Sequence, residues 1–278
     1  MFWHTTRFQI DLSRPRVMGI VNVTPDSFSD AGNDHASALA LAERLVAEGA
    51  DILDIGGEST RPGAQPVALA DERARVMPVL RHALTLGVPV SLDTSAPELM
   101  QEALDLGLDI VNDVRALSRP GAADVLASHP CAGICLMHLP DEPATMQRAP
   151  HYGDVVAEVA AFLASRAAQL TACGIAPERI VLDPGIGFGK TPAHNWALLQ
   201  RQAELLRLGY PLLVGWSRKG TLGQLTGRPV GERLAASLAA GLVAIAHGAS
   251  VLRVHDVAAT VDAIAVWRAG QAATLPQS

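Results

Sequence analysis

Eight short apolar runs, most of them rich in Val, Ile and Leu, recur along the chain roughly every 35 residues. Segments with the periodicity of amphipathic helices lie between them, which is the pattern of βα units in a parallel sheet. Eight such strands favour an α/β fold closed into a (β/α)8 TIM barrel. The predicted strands are Val17–Asn22, Asp51–Ile55, Val88–Asp93, Asp109–Asn112, Gly133–Met137, Arg179–Asp183, Pro211–Gly215 and Ser250–Val254.

The length of 278 residues and the hydrophobic content of 49% are sufficient for one large core. We expect a single domain, with the barrel over about residues 17–270 and residues 1–16 as an N-terminal extension or hairpin. The most apolar run, Leu234–Ala246, is too short to span a membrane. It is expected to be a packed helix whose buried face consists of Leu234, Leu238, Leu242 and Ile245.

Charge and cysteine content exclude several classes of function. The net charge of −6 lacks the basic excess that nucleic-acid binding requires, so no nucleic-acid partner is expected. Cys131, Cys135 and Cys173 form no metal-ligand pattern and are expected to be reduced, buried thiols. The first 16 residues lack the apolar core of a signal peptide. We therefore expect a cytoplasmic protein with no membrane partner.

The segment from Asp183 to Lys190 carries glycines at alternate positions directly after a predicted strand. A phosphate-binding P-loop ending in Gly-Lys-Thr would need glycine where Pro184 stands, and a dinucleotide loop needs a different glycine spacing. Alternating glycines allow the backbone to approach a flat ligand closely, and Asp183 offers two acceptor oxygens to paired N–H groups. This pattern predicts a site for an aminopyrimidine ring, with a flexible strand-to-helix connection as the alternative.

Polar side chains also follow the other predicted strands. In a TIM barrel the carboxyl ends of all strands meet at one face, where active sites are built. Each polar residue taken alone has a second explanation as a helix cap or a loop residue, but their number favours a site. They are Asn22, Asp93, Asn112, Asp183 and Arg253, with His255 just beyond, and Gly215 leading into Ser217, Arg218 and Lys219.

Four further tracts carry a resemblance to a known family. They are Met18 to Asp30 (MGIVNVTPDSFSD), Asp54 to Gly63 (DIGGESTRPG), Ser217 to Lys219 (SRK) and Arg253 to Asp256 (RVHD). In their order and in their placement after predicted strands, they resemble the dihydropteroate synthases of folate biosynthesis. The resemblance covers essentially the whole chain.

The resemblance implies a TIM barrel that joins 6-hydroxymethyl-7,8-dihydropterin diphosphate to p-aminobenzoate and releases pyrophosphate. It implies a homodimer, a Mg²⁺ ion with Asn22 as its protein ligand, and a dissociative mechanism in which the diphosphate leaves first. The catalytic residues implied are Asp93, Lys219, Arg253 and His255. The pterin would be bound by Asp93, Asn112, Met137, Asp183, Gly215, Lys219 and Arg253.

The same resemblance assigns the two remaining subsites. The diphosphate would be held by Asn22, Thr60, Arg61, Arg253 and His255. The p-aminobenzoate pocket would be lined by Phe28, Thr60, Pro62, Phe188, Ser217 and Lys219. Charge-assisted hydrogen bonds to the diphosphate would strengthen as the leaving group gains charge.

Three positions depart from the family pattern: Trp216, Gly220 and the run Leu139-Pro140-Asp141. They bear chiefly on the p-aminobenzoate end of the site. Two alternatives remain open. One is a methyltransferase that passes a methyl group from methyltetrahydrofolate to a corrinoid, and the other is a non-catalytic pterin-binding homologue. Neither alternative needs the diphosphate tracts.

Overall fold

The computed structural model describes residues 1–24, 34–59, 64, 67–140, 146–147 and 150–272. The strands are β1 Phe2–His4, β2 Gln9–Asp11, β3 Arg16–Asn22, β4 Ile52–Gly56, β5 Val90–Asp93, β6 Ile110–Asp113, β7 Gly133–Met137, β8 Ile180–Asp183, β9 Leu213–Val214 and β10 Val251–Val254. The helices are α1 Asp34–Ala47, α2 Leu69–Ala83, α3 Pro97–Asp105, α4 Ala122–Ser128, α5 Val155–Ala172, α6 Pro192–Gln200, α7 Gln202–Leu206, α8 Gly220–Thr226, α9 Leu234–Ala246 and α10 Val257–Ala272.

The strands β3 to β10 form one parallel sheet that closes on itself. Their order is β8-β7-β6-β5-β4-β3-β10-β9, so the first barrel strand pairs with the last. A parallel bridge between Leu182 and Leu212, supported by the Leu182 amide donating to the Pro211 carbonyl at 3.0 Å, joins β8 to the residues before β9. The predicted TIM barrel is therefore confirmed, and all eight predicted strands are present within two residues of their expected bounds.

The barrel interior is apolar at the amino ends of its strands and polar at their carboxyl ends. The lower cluster contains Met18, Ile52, Ile110, Cys135, Val181, Leu213 and Val251. Because strand side chains alternate with a period of two, the residue two positions later on a strand points into the same interior. Four of those seven positions hold polar residues, Asp54, Asn112, Asp183 and Arg253, and the other three hold Ile20, Met137 and Gly215. The alternation of the sequence thus places a polar layer directly above an apolar one.

The antiparallel hairpin of β1 and β2 covers the lower end of the barrel. Trp3 is fully buried there and packs with the lower interior cluster, and its ring N–H donates to the Arg179 carbonyl at 2.9 Å. Arg7 forms a bidentate ion pair with Asp109, whose side chain is fully buried. These contacts tie residues of the first ten positions to strands far along the chain.

The outer helices differ from the expectations at two places. In α9 the buried face consists of Ser237, Ala240, Gly241, Ala244 and Ile245 rather than the leucines. The small residues allow α9 to lie close to the sheet, since a Cβ added at Gly241 would meet the Leu252 side chain at 3.1 Å. Leu234 consequently remains exposed. Cys131 and Cys173 are also exposed, so the expectation of buried thiols is correct only for Cys135.

Helix α5 is long and largely apolar. Among the described residues it is the one helix long and apolar enough to cross a membrane by length and composition alone. One face of α5, including Val156, Val159 and Leu163, is fully buried in the core. That burial is the arrangement of an outer barrel helix.

Candidate active site

One arginine lies between two buried carboxylates at the carboxyl ends of the strands. Arg253 on β10 donates from Nε to Asp54 Oδ2 at 2.6 Å and from Nη2 to Asp93 Oδ2 at 3.0 Å. The Asp54 side chain is fully buried, and that of Asp93 is 10% exposed. The two carboxylates hold the pKa of Arg253 above its ordinary value. A single cation is therefore shared by two acids.

The sharing leaves Asp93 with an unusual affinity for protons. Burial raises the pKa of Asp93 to about 8, with the nearby Asp54, Asp113 and Glu72 raising it further and Arg253 opposing them. A buried carboxyl of this kind either holds a proton near neutral pH or accepts hydrogen bonds from a ligand that brings N–H donors. Asp93 is thus suited to bind a ring nitrogen that carries hydrogen.

Asp54 is a candidate site residue that was not predicted from the sequence. It accepts two bonds from the Asn112 amide, at 3.2 and 3.4 Å, in addition to the bond from Arg253. Asp54 therefore fixes the orientation of both neighbours. A signal was present in the sequence, because a carboxylate flanked by Leu53 and Ile55 on a buried strand requires a partner.

Asp183 ends β8 and begins the glycine-rich loop. Its Oδ1 accepts the Gly185 amide at 2.7 Å, and burial raises the pKa of the carboxyl. Gly185 has φ +68°, and a Cβ there would come within 2.1 Å of the His138 carbonyl oxygen. Gly187 has φ +83°, and its Cβ would come within 3.0 Å of the Lys219 side chain. Glycine is required at these two positions because a side chain would collide with neighbouring protein atoms. The prediction that the glycines make room for a ligand gave a different reason for them.

Lys219 reaches the same region from the loop after β9. Its Nζ lies 4.1 Å from the centre of the Phe188 ring, within the range of a cation–π contact. Burial lowers the pKa of Lys219 to about 8, although Asp183 opposes that shift. The pair therefore places a cation and an aromatic face beside the Asp183 carboxyl.

His255 and Ser217 form a second pair beside this cluster. Ser217 Oγ lies 2.9 Å from His255 Nδ1 and accepts the His255 backbone amide at 3.2 Å. Burial lowers the pKa of His255 to about 4, with Arg218 and Arg253 lowering it further. His255 is therefore neutral at physiological pH. A hydrogen bond that it donates to an anion would come from the N–H group of a neutral imidazole. Arg218 itself is paired with Asp256 at 2.6 and 3.1 Å.

Asn22 lies at the end of β3 and faces the same space as Asp93. A Cβ added at Gly56 would lie 3.9 Å from Asn22 Oδ1 and 3.8 Å from Asp93 Oδ2. Met137 is buried and is paired in register with Asp183. These residues, together with Asn112 and Arg253, therefore end adjacent strands of one barrel face.

Four predicted site residues, Phe28, Thr60, Arg61 and Pro62, lie outside the described residues. So does Asp141 of the third departure. The first departure, Trp216, is buried and stacks on Trp196 with ring centres 5.3 Å apart. It is therefore a packing residue between the barrel wall and the helices. No cluster of three acidic, His or Cys residues suited to a metal occurs within the described ranges.

The chain is similar to known proteins over most of its length. Residues 18–255 match the family described as pterin binding enzyme. The chain is 54% identical over 275 residues to dihydropteroate synthase of Neisseria meningitidis serogroup B, covering 96% of each chain.

Two solved structures of Xanthomonas albilineans dihydropteroate synthase superpose closely on this fold. The complex with 4-aminobenzoic acid is 50% identical, with a TM-score of 0.90 and coverage of 95% of this chain and 96% of that chain. The complex with 7,8-dihydropteroate is 46% identical, also with a TM-score of 0.90, and coverage is 98% and 100%.

Proposed function

Because the chain belongs to the pterin-binding enzyme family and is a dihydropteroate synthase, a transferase, we propose that it joins its two substrates by a dissociative substitution at the polar barrel face. The substrates are 6-hydroxymethyl-7,8-dihydropterin diphosphate and p-aminobenzoate, and the products are 7,8-dihydropteroate and pyrophosphate. The observation that carries the proposal is the convergence of Asp54, Asp93, Asp183, Lys219 and Arg253 on one face of the barrel.

The pterin ring binds where buried acceptors can meet its N–H groups. Asp183 and Asp93 accept from the amino group and ring nitrogens, and Asn112 lies between them in the strand order. Lys219 donates to a ring acceptor from the opposite loop. A buried carboxylate has lost its hydrogen bonds to water, and an N–H group of the ligand replaces one of them. The site therefore favours this ligand over one without N–H groups. Met137 and Gly215 complete the walls of the pterin site.

The diphosphate lies beside the cationic end of the site. Arg253 lies on β10, His255 follows that strand, and Asn22 is the last residue of the neighbouring β3. Thr60 and Arg61 of the second tract are proposed as further donors. Hydrogen bonds to the leaving group strengthen as negative charge accumulates on it, so they stabilise the transition state more than the bound substrate.

We propose Mg²⁺ as the metal at this position. Asn22 Oδ1 and Asp93 Oδ2 face one space, and oxygen donors suit this cation. The described residues offer too few ligands for an all-protein site, which fits a metal held chiefly by substrate oxygens and water. Asn22 would be its protein ligand. When bound, Mg²⁺ neutralises charge on the diphosphate.

The reaction breaks the bond between the pterin methylene carbon and the diphosphate oxygen. The electron pair of that bond leaves with pyrophosphate. The methylene cation is delocalised into the electron-rich dihydropterin ring, and Asp93 stabilises that positive charge. The amine of p-aminobenzoate then forms the new C–N bond and loses a proton. Phe188, Ser217 and the Lys219 stem hold the amine in line, with Phe28, Thr60 and Pro62 as further wall residues.

We also propose a cytoplasmic homodimer formed through the barrel helices. The support is a set of exposed apolar side chains on and between α8, α9 and α10: Leu225, Val230, Leu234, Val243 and Val266. Such a surface is typical of an association site. Sedimentation of the wild type and of Val243→Glu tests it, since the variant should shift toward the monomer.

Pyrophosphate release on mixing the two substrates tests the function. We expect sustained pyrophosphate release and a dihydropteroate product with both substrates present, and no dihydropteroate with p-aminobenzoate omitted. A methyltransferase would instead demethylate methyltetrahydrofolate with a corrinoid acceptor. A non-catalytic homologue would bind the pterin without releasing pyrophosphate. Either of those results would refute the proposal.

A further inference from the structure

Both lysines of this chain lie against the glycine-rich loop after β8. They are Lys190 and Lys219, among 22 Lys and Arg residues in all. Lys219 lies against Gly187, and Lys190 lies against Gly185, where an added Cβ would be 3.3 Å from the lysine Nζ. Lys219 is part of the proposed active site. Lys190 takes no part in the mechanism above, although it is only 3% exposed and burial lowers the pKa of its ammonium to about 7.

Three close acceptors surround the Lys190 ammonium, and the His138 carbonyl is a fourth, more distant one at 3.5 Å. Its Nζ lies 3.0 Å from each of the Gly185 carbonyl, the Phe188 carbonyl and His138 Nδ1. An ammonium has three N–H donors, so this set satisfies it completely. His138 presents a lone pair to the lysine when its imidazole is neutral. Burial lowers the pKa of His138 to about 3, which agrees with that arrangement.

The loop itself has few side chains with which to hold its shape. Gly185, Gly187 and Gly189 all have positive φ, at +68°, +83° and +56°. Two of the loop carbonyls, those of Gly185 and Phe188, converge on the lysine. A flexible backbone that directs carbonyls toward one point needs a cation there, because unpaired buried carbonyls are costly.

The same loop positions groups of the proposed active site. The Gly185 amide donates to Asp183 Oδ1, and the Phe188 ring lies under the Lys219 Nζ. A shift of the loop would therefore move both a pterin acceptor and a wall of the p-aminobenzoate site. An arginine could not replace the lysine, since its planar guanidinium cannot point three donors at converging acceptors.

We propose that Lys190 is a positioning residue whose ammonium is the internal cation of the loop over residues 184–190, ordering it so that Asp183 and Phe188 face the substrates. The statement about substrates rests on the proposed function, whereas the ordering of the loop is independent of it. Lys190 acts through the loop and touches neither substrate.

Hydrogen–deuterium exchange of Lys190→Met tests the ordering. Exchange over residues 184–190 should become at least about tenfold faster, while exchange in β8 stays unchanged. Calorimetry should show binding of 6-hydroxymethylpterin weakened by at least about tenfold. Tyr152→Phe is the matched control, because the Tyr152 hydroxyl donates to the Gly189 carbonyl of the same loop at 3.0 Å. It removes one neutral hydrogen bond and no cation, so it should change both measurements clearly less than Lys190→Met does.

Each outcome decides the proposal. Unchanged exchange in Lys190→Met would overturn the ordering role, and faster exchange with unchanged pterin affinity would overturn the positioning role. A wild type that releases no pyrophosphate would refute the proposed function without changing the exchange result.

A measurement on the wild type covers the case in which the variant does not fold. With only two lysines, ¹⁵N-lysine NMR below the Lys190 pKa of about 7 should show a Lys190 ammonium that contacts the His138 ring and exchanges slowly with water. Rapid exchange of that signal would overturn the proposal.

Discussion

The two ends of the barrel both bury aspartate against arginine, and they satisfy the charges differently. At the lower end Asp109 accepts from Arg7 through Nε, Nη2 and the backbone amide, and from the Val90 amide as well. At the upper end Asp54 and Asp93 share Arg253. The lower arrangement is one acid with many donors, and the upper one is two acids with one cation.

The difference shows how one fold separates stability from binding. A buried acid surrounded by donors has nothing to gain from a ligand, so the lower end contributes to holding the hairpin on the barrel. A buried acid short of donors is less stable in the empty protein and gains when a ligand supplies N–H groups. The same residue types are therefore structural at the lower end and, in the proposed function, bind substrate at the upper end.

Removing the cation should separate the two ends most clearly. Arg253→Met leaves Asp54 and Asp93 without their shared partner and takes a donor from the leaving group. We expect turnover to fall by about 1000-fold and the free energy of unfolding to fall by about 3 kcal/mol or more. Arg7→Met at the lower end should lose about 3 kcal/mol with kcat and KM unchanged. Steady-state kinetics and denaturant unfolding measure both, and a catalytic defect in Arg7→Met would erase the distinction.

Changing one carboxylate to an amide should have the next largest effect. Asp183→Asn presents an N–H group where the pterin also presents a donor, at a cost of about 1 to 3 kcal/mol, or roughly 5- to 150-fold in affinity. Calorimetric titration with 6-hydroxymethylpterin gives the affinity. Asp109→Asn should lower the melting temperature and leave the affinity alone. Equal affinities of wild type and Asp183→Asn would remove Asp183 from the site.

The upper end should also make stability depend on pH. Folded protein holds the Asp93 proton up to about pH 8, whereas the ordinary pKa of this carboxyl is 3.8. Stability contributed by neutral Asp93 is therefore present at low pH and lost as pH rises through about 8. Relative to Asp93→Asn, the wild type should lose up to about 1.4 kcal/mol per pH unit between pH 5 and 8.

The exposed Asp154 provides a control of opposite sign. Hydrogen bonds from Arg201 lower its pKa, so its contribution is lost as pH falls. Unfolding curves for Asp154→Asn should show that reversed dependence. A flat difference between wild type and Asp93→Asn would mean that Arg253 keeps Asp93 ionised throughout.

The smallest effect is expected when the aromatic rings that contact Lys219 and Arg7 are removed. Phe188→Leu removes the ring under Lys219, a contact worth about 0.5 to 2 kcal/mol. KM for p-aminobenzoate should rise several-fold, with kcat nearly constant. At the lower end Arg7 lies 5.2 Å from the centre of the Phe8 ring, and Phe8→Leu should change neither constant. An altered KM in Phe8→Leu would point to coupling through the barrel.

The sequence predicted the strands and most of the strand-end residues because both follow from local pattern. Apolar runs of strand length define the barrel, and Asp93, Asn112 and Asp183 each end such a run. Arg253 and Asp54 each lie one residue before the end of their predicted runs, and Arg253 was found because it also belongs to the tract that continues to His255 and Asp256. Asp54 was missed because only the period-two alternation reveals that it faces the interior.

Contacts between distant segments were not predictable in this way. The buried face of α9 depends on how closely Gly241 approaches Leu252, and that distance is set by the packed structure. Likewise, the three close acceptors of Lys190 come from the loops after β7 and β8. No spacing in the sequence encodes such convergence.

The pairing of the first barrel strand with the last also sets an order of events during synthesis. Met18 on β3 is in register with Arg253 on β10. At about 5 to 20 residues per second, a ribosome needs roughly 10 to 50 seconds to travel from one to the other. Until then Asp54 and Asp93 have no arginine from β10 with which to pair. The proposed catalytic face is thus the last part of the barrel to be completed, and we expect a nascent chain to be inactive until its final strand emerges.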